Sequence, residues 1–203
     1  PIEGGMPWSV GGPETYRKSP MIMEMAYSFG QAACGLVDTG FLGFAQLDMY
    51  GNANTTMIGD NFLNPKVRLT GSGGNNDVGS LCEKIVFVGI QSPQKFVKKC
   101  DFITTTGHMV DGVSRADLGI LGKGPVAVVS TAGVYDFDPV TKRMQIKTLH
   151  PGVSADLAQL ASGFELLRPE GEIPVTEVPS PEILEILRHE VDPQGFFITM
   201  PGA

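Results

Sequence analysis

The sequence predicts an α/β fold, and three observations support that prediction. First, the chain has 203 residues, of which 42% are apolar and 18% charged, so it is long enough to bury a substantial core in one domain. Second, its 26 glycines indicate many turns and close backbone approaches rather than a helical bundle. Third, short β-branched or aromatic runs share the chain with segments that carry helix caps.

The first part of the chain predicts one helix and one buried strand. Residues 21–35 form the predicted helix, with Met25 and Phe29 among its inward-facing side chains. The apolar run 41–47 is typical of a buried strand, and it continues into 48–54, a stretch rich in turn residues.

The middle of the chain predicts further strands. Short runs bounded by Gly, Pro or Asp predict strands at 85–90, 102–105 and 126–130. Residues 134–137 and 144–149 alternate apolar and polar side chains around a turn that contains Asp-Pro. This pattern predicts an antiparallel hairpin.

Two short helices are predicted after the hairpin. Ser154 is the expected cap of a helix that continues through Leu160. Ser180, followed by proline, begins the second helix, which should end at Pro193. The segment 168–179 has three prolines and no strong periodicity, so it is expected to be an extended connector.

Composition argues against several classes of protein. The formal net charge of −7 does not suit nucleic-acid binding. The cysteines, Cys34, Cys82 and Cys100, form no close pair, which favours a reducing cytoplasm over a disulfide framework. No apolar run approaches the roughly 20 residues that span a bilayer, and no signal peptide opens the chain, so no membrane association is expected.

The run Gly71-Ser72-Gly73-Gly74-Asn75-Asn76-Asp77 is the most informative segment. Three glycines in four positions leave backbone amides uncovered by side chains just before a polar turn. Such a loop can wrap a ligand or an oxyanion at close range, and it suits a tight structural turn equally well. The spacing lacks the Lys-Ser/Thr ending of a phosphate-binding loop.

Glu3 is a second candidate site residue. It follows a short apolar stretch and directly precedes Gly4 and Gly5, so it is predicted to lie where a strand breaks into a turn. The ends of strands are where α/β proteins place their sites. The alternative is an exposed terminal residue, and the spacing alone favours it.

Several common kinds of site have no support in the sequence. The histidines, His108, His150 and His189, are scattered without the spacing of metal ligands, so no metal site is predicted. The chain has no Gly-x-Ser-x-Gly motif of a serine hydrolase. It also lacks the glycine fingerprint of a dinucleotide fold.

Taken in order, the motifs resemble those of the class I coenzyme A transferases, and within them the β subunits of the glutaconate CoA-transferase type. The resemblance spans essentially the whole chain. After the pair Glu3-Gly4, the matching segments are AQLDMYGNAN (45–54), GSGGNND (71–77), TGHMVDG (106–112), YDF (135–137), TKRM (141–144) and ILRHEVDP (186–193).

The resemblance implies an open, mainly parallel sheet flanked by helices, with a β-hairpin toward the C-terminal half, as a single domain over residues 1–203. A strand and a helix that precede the catalytic glutamate in the family are expected to be missing from this chain, which begins with Pro1. The resemblance also implies a homologous α subunit as an obligate partner, expected in an α2β2 heterotetramer, and coenzyme A as a substrate with no permanently bound cofactor.

The resemblance implies that the Glu3 carboxylate is the nucleophile that forms a glutamyl-CoA thioester. Backbone amides of Gly73 and Gly74 are the implied donors to the oxyanion of each attack. The implied binding residues for coenzyme A and substrate are Gly4, Gly5, Gln46, Gly71, Ser72, Asn75, Asn76 and Asp77. For Gln46, the alternative is a structural role in a turn. Asn52 is a further candidate at the pocket, and the same alternative applies to it.

Other interpretations stay open at this stage. Arg68 suits the free carboxylate of a dicarboxylic acyl group, and an ordinary surface arginine is its alternative. Relatives on the same scaffold resemble acyl-CoA hydrolases or decarboxylases, and a non-catalytic partner subunit is a third possibility. The sequence does not identify the acyl group.

Overall fold

The computed structural model describes residues 21–192, and the structural statements below concern that part of the chain. Ala26–Thr176 form one compact unit, which holds the sheet and the candidate site. The remaining described residues, 21–25 and 177–192, belong to a second unit.

Eleven short strands and four α-helices are formed by the described residues. The strands are β1 (Thr39–Leu42), β2 (Gln46–Leu47), β3 (Ala53–Asn54), β4 (Met57–Ile58), β5 (Val67–Arg68), β6 (Lys84–Gly89), β7 (Met109–Val110), β8 (Val113–Ser114), β9 (Gly124–Ser130), β10 (Gly133–Phe137) and β11 (Met144–Leu149). The helices are α1 (Met25–Ala33), α2 (Asn75–Leu81), α3 (Ala155–Leu160) and α4 (Pro181–Ile186).

The main sheet has five strands in the order β1-β6-β9-β10-β11. β1 pairs with β6 and β6 with β9 in parallel, whereas β9, β10 and β11 are antiparallel neighbours. The sheet is therefore mixed, because the predicted hairpin β10–β11 extends its parallel part. Its core is formed by fully buried side chains of four strands: Ile85, Phe87, Val128, Tyr135, Met144 and Ile146.

Helix α2 lies close against β1 because a glycine faces it. A Cβ on Gly40 would lie 2.4 Å from Cγ1 of Val78, a distance that no real side chain tolerates. On the opposite side, a Cβ on Gly79 would lie 2.3 Å from Cγ2 of Thr105. Two glycines thus fix the position of α2, and with it the glycine-rich loop that leads into the helix.

The predicted caps are confirmed. The Ser154 hydroxyl accepts a hydrogen bond from the Leu157 amide, at 3.2 Å, at the start of α3. The Ser180 hydroxyl accepts one from the Ile183 amide, at 3.3 Å, at the start of α4. Helix α4 continues as a π-helical turn at Leu187–Val191, and the predicted stop at Pro193 lies outside the described residues.

The prediction of one strand over 41–47 is wrong. The run divides into β1 and β2, because the chain leaves the sheet after Leu42 and the Ala45 amide donates to the Asn54 carbonyl instead. β2 then pairs with β3 in a separate two-stranded ribbon. An apolar run alone does not distinguish one strand from two with different partners.

The predicted strand at 102–105 is also wrong. Only an isolated bridge joins Thr105 to Ala53, and no strand forms over those residues. The side chains of Thr104 and Thr105 make hydrogen bonds across the molecule, as described below. These two β-branched residues use their hydroxyl groups for hydrogen bonds and do not belong to a β-strand.

The predicted helix 21–35 is shorter in the structure, where α1 spans Met25–Ala33. Met25 is 70% exposed, so its predicted inward orientation is wrong, whereas Phe29 is half-buried and packs against Gly74. No helix among residues 21–192 is long and apolar enough to cross a bilayer.

Candidate functional site

A cleft of about 610 Å³ opens beside the end of β1. It lies next to the glycine-rich loop along the chain, because Thr70 precedes Gly71 directly. Apolar side chains dominate its wall, and Arg68 contributes a positive charge. The lining residues are Phe44, Ala45, Thr55, Arg68, Leu69 and Thr70.

Thr55 joins this cleft to the glycine-rich loop. Its carbonyl accepts a hydrogen bond from the Gly71 amide at 3.1 Å, and its hydroxyl donates to the Gly71 carbonyl at 3.0 Å. The Asn75 side-chain amide also approaches the Thr55 hydroxyl, at 3.4 Å. These contacts hold both ends of the loop against one wall residue.

Glycine is required within the loop for conformational reasons. Gly71 has φ of 95° and Gly73 has φ of 49°, both in the left-handed region that L side chains avoid. An added Cβ at either position would meet no atom of the described residues within 4 Å, so among these residues the requirement comes from the backbone and not from crowding. Within residues 21–192, the amides of Gly73 and Gly74 donate to no acceptor.

Two buried threonines form hydrogen bonds to the cleft wall and to α2. The Thr104 hydroxyl accepts from the Thr55 amide at 2.9 Å and contacts the Thr56 hydroxyl at 2.8 Å. The Thr105 hydroxyl donates to the Asn75 carbonyl at 3.0 Å. The irregular segment that was predicted as a strand therefore fixes the position of the loop.

Arg115 also stabilises the position of α2 through buried hydrogen bonds. Its side chain is 5% exposed, and it donates to the carbonyls of Gly79, Thr106 and Leu121 at 2.6 to 3.2 Å. Burial lowers the pKa of this guanidinium. Since every acceptor is a main-chain oxygen, Arg115 links α2 to two loops and serves the structure.

A second buried network surrounds Asp48 and Asn52. The Asp48 carboxylate accepts from the Asn52 side chain at 2.8 Å and from the amides of Asn52 and Tyr50 at 3.0 and 2.9 Å. Asn52 in turn donates to the Met109 carbonyl and accepts from the Gly107 amide, both at 2.8 Å. Asn52 is therefore a structural residue, the alternative that the sequence left open.

The pKa values in this network oppose a nucleophilic role. Burial raises the pKa of Asp48, and its hydrogen bonds to Asn52 partly counteract that effect. Burial, followed by the charge of Asp48, raises the pKa of the Cys100 thiol far above its usual range. The Cys100 thiol points at the Asn52 carbonyl, 3.2 Å away, so it is a buried structural thiol.

No metal site accompanies the cleft in the described part of the chain. Among residues 21–192, no group of three or more His, Cys, Asp or Glu side chains lies close enough together to hold an ion. His108 is half-buried, with its ring 4.7 Å from that of Phe137 and its Nε2 2.7 Å from the Pro125 carbonyl. Burial lowers the pKa of His108.

A family model described as Coenzyme A transferase matches residues 21–157. The chain belongs to the coenzyme A transferase family. The resemblance found in the sequence is therefore confirmed, and the matched residues include the cleft, the glycine-rich loop and all five strands of the main sheet.

Among the relatives is the β subunit of 3-oxoadipate CoA-transferase from Pseudomonas knackmussii, 38% identical over 154 residues. That alignment covers 76% of this chain and 58% of the relative. The cholesterol ring-cleaving hydrolase IpdB subunit of Mycobacterium tuberculosis strain H37Rv is 27% identical over 154 residues, covering 76% of this chain and 60% of the relative.

Glutaconate CoA-transferase of Acidaminococcus fermentans is similar in both sequence and structure. Its β subunit is 36% identical over 162 residues, covering 79% of this chain and 59% of the relative. Its crystal structure matches with a TM-score of 0.86 and 31% identity over 99% of this chain and 77% of that chain. The predicted α/β fold is thereby confirmed. This chain spans less than two thirds of the length of these curated relatives.

The structure brings some of the predicted site residues of this coenzyme A transferase chain together. Gly71, Ser72, Gly73 and Gly74 follow the cleft in one loop, with Gly74 at the N-terminal cap of α2. Asn75, Asn76 and Asp77 lie in the first turn of that helix. Glu3, Gly4 and Gly5 lie outside the described residues.

Gln46 lies apart from the cleft wall. It is 6% exposed, and its amide oxygen accepts from the Asn54 side chain at 2.8 Å and from the Asp101 amide at 3.0 Å. This geometry favours its structural alternative, and a binding role for Gln46 stays a prediction. Thr55 and Thr104 were missed by sequence reasoning, because no local motif marks residues that act through distant contacts.

Proposed function

We propose that this chain is the β subunit of a heteromeric CoA-transferase that moves coenzyme A between carboxylic acids, dicarboxylic acids included. The partner is a homologous α subunit in an α2β2 heterotetramer, and the enzyme acts in the cytoplasm. The observation that supports this proposal most is the 36–38% identity to two relatives named as the corresponding subunits of CoA-transferases.

The chemistry begins at Glu3. Its carboxylate attacks the thioester carbonyl of an acyl-CoA, which forms an acyl-glutamyl anhydride and releases the CoA thiolate. The thiolate then attacks the glutamyl carbonyl of the anhydride, giving a glutamyl-CoA thioester and the free acid. An incoming carboxylate reverses both steps, so the thioester's energy is retained rather than lost to water.

The glycine-rich loop supplies the proposed electrostatic assistance. Each attack places negative charge on a carbonyl oxygen, and a preorganised donor there contributes about 3 kcal/mol. Gly73 and Gly74 are the proposed donors, since their amides donate to no acceptor within residues 21–192. The residues proposed to contact coenzyme A or substrate around these donors are Gly4, Gly5, Gln46, Gly71, Ser72, Asn75, Asn76 and Asp77.

Replacing the nucleophile tests the proposal. In the assembled enzyme, Glu3→Gln should lower the rate of CoA transfer by more than about a thousandfold, because the amide does not form the anhydride. The variant should still assemble with its partner. Glu170→Gln, at an exposed position, is the matched control and should retain the wild-type rate. Wild-type transfer by Glu3→Gln would remove Glu3 from the mechanism.

The covalent intermediate offers a second test of the same proposal. After exposure to acyl-CoA, the wild-type chain should be inactivated by borohydride or hydroxylamine, and mass spectrometry should locate the modification at Glu3. Glu3→Gln should be insensitive to both reagents, because it forms no thioester.

A hydrolase is the second candidate, favoured by the 27% identity to the IpdB subunit. Free thiol and the mass of the acyl-CoA, measured with and without an acceptor acid, separate the two functions. Transfer requires the acceptor for net turnover. Without the acceptor, thioester hydrolysis releases CoA thiol, and ring hydrolysis adds the mass of water to the acyl group while the CoA stays bound. Release of CO2 would indicate a decarboxylase instead.

A further inference from the structure

Arg68 differs from the other arginines of the Ala26–Thr176 unit in what it binds. Arg143 and Arg168 pair with carboxylates, at 3.0 Å to Glu165 and 2.6 Å to Asp156. Arg115 is buried and bonded to carbonyls. Within residues 21–192, Arg68 forms no ion pair, although it lies at the wall of the cleft.

Phe62 holds the Arg68 guanidinium in place. The guanidinium carbon lies 4.7 Å from the centroid of the Phe62 ring, a cation–π distance. One terminal nitrogen also donates to the Phe62 carbonyl. These contacts use one face and one edge of the guanidinium, so the donors on its other nitrogen atoms stay available to a ligand.

The surroundings of Arg68 favour an anionic ligand group. Its neighbours in the cleft wall are apolar or hydroxyl-bearing: Phe44, Ala45, Thr55, Leu69 and Thr70. Arg68 is itself exposed, so its donors are accessible to a ligand that enters the cleft. A guanidinium already oriented by an aromatic ring also loses less freedom on binding.

We propose that Arg68 is the anion-recognition group of this cleft. Its unused guanidinium donors bind an oxyanion of the ligand, either the distal carboxylate of an acyl group or a phosphate of coenzyme A. This inference rests on the proposed function, which places both kinds of ligand at the chain. Arg68 thereby takes part in binding and not in bond making, and it sets the preference among acyl groups where the bound oxyanion is their distal carboxylate.

Calorimetric titration of the assembled enzyme with three probes tests the assignment. The probes are glutarate, valerate, which has the same five carbons and one carboxylate fewer, and coenzyme A. Arg68→Gln should weaken glutarate binding by about 10- to 100-fold and change valerate binding by less than about twofold. Arg68→Lys should give an intermediate loss of glutarate affinity, because lysine keeps the positive charge but lacks the paired donors of the planar guanidinium.

Lys66→Gln is the matched control. It removes the same charge two residues away from an exposed side chain that does not line the cleft, so all three probes should bind it as they bind the wild type. If Arg68→Gln weakens the binding of coenzyme A and not that of glutarate, the bound oxyanion is a phosphate, and the anion site is supported. If it weakens neither glutarate nor coenzyme A by more than about threefold, the inference is overturned.

The two proposals fail in different ways. A wild-type enzyme that transfers CoA, beside an Arg68→Gln variant that binds all probes equally well, overturns only the role of Arg68. A wild-type enzyme that binds glutarate through Arg68 but transfers no CoA contradicts the proposed function and supports the anion site.

Discussion

Individual side chains around the cleft divide into those that hold the backbone and those that face a ligand. Thr55 does both, because it lines the cleft and makes two hydrogen bonds to Gly71. Thr104 is 5% exposed, and its hydroxyl makes hydrogen bonds to Thr55 and Thr56. Arg68, by contrast, has donors that no described residue uses. The site thus combines residues whose hydrogen bonds hold the backbone with a few donors that no residue of 21–192 uses.

Gly79 gives a residue-scale prediction about that scaffold. Gly79→Ala should lower the free energy of unfolding by about 1–3 kcal/mol, because its Cβ would lie 2.3 Å from the methyl group of Thr105, which is 1% exposed. The clash should outweigh the ordinary helix preference for alanine, about 1 kcal/mol. Urea unfolding followed by circular dichroism measures the difference.

Gly30→Ala is the control for this prediction. Gly30 lies in α1, and an added Cβ there would meet no atom of residues 21–192 within 4 Å. The same substitution should therefore stabilise the protein by about 0.5–1 kcal/mol. Equal effects of the two variants would contradict the close packing of α2 on Thr105.

At the scale of elements, the turn of the β10–β11 hairpin is built around one carboxylate, that of Asp138. One oxygen of Asp138 accepts from the Thr141 hydroxyl at 2.7 Å and from the Thr141 and Val140 amides at 2.6 and 3.1 Å. The hydrogen bond from the Thr141 hydroxyl is the first cause that lowers the pKa of Asp138 from its ordinary 3.8. The folded state therefore favours the ionised carboxylate.

Asp138→Ala should reveal that the contribution of this carboxylate depends on pH. Because the folded pKa is depressed, the stabilisation is complete above the unfolded value of 3.8 and is lost as pH falls through the lower folded value. The stability difference between wild type and Asp138→Ala should be constant near neutral pH and shrink below about pH 4. Denaturant unfolding across this range measures it. A pH-independent difference for Asp138→Ala would disprove the linkage.

The elements also show which features a sequence can predict. The hairpin and the helices capped by Ser154 and Ser180 depend on residues a few positions apart, and all were predicted correctly. The runs 41–47 and 102–105 were assigned wrongly because their partners are distant in sequence. The hydrogen bond from Thr55 to Thr104 joins residues 49 positions apart, so no local sequence pattern predicts it. The glycine-rich loop was found because its composition is itself the signal.

At the scale of the whole molecule, the chain carries part of an architecture that its relatives possess at greater length. The two CoA-transferase relatives are matched over 58% and 59% of their residues, and both are named as one subunit of their enzyme. Within residues 21–192, the cleft has an unpaired cation on its wall, and the loop that follows it has free amides at Gly73 and Gly74, whereas the proposed nucleophile lies outside the described residues. A complete reaction site therefore requires more than the part described.

Assembly with a second subunit gives the last prediction. If the partner supplies part of the pocket for coenzyme A and substrate, the full-length protein purified alone should transfer no CoA, and addition of the α subunit should restore the activity. Light scattering coupled to size exclusion should then detect a heterotetramer. The Glu3→Gln chain, mixed with the same partner, should give the heterotetramer without the activity, which separates assembly from chemistry. Wild-type turnover by the isolated chain would contradict the shared site, because one subunit would then hold every group that the reaction needs.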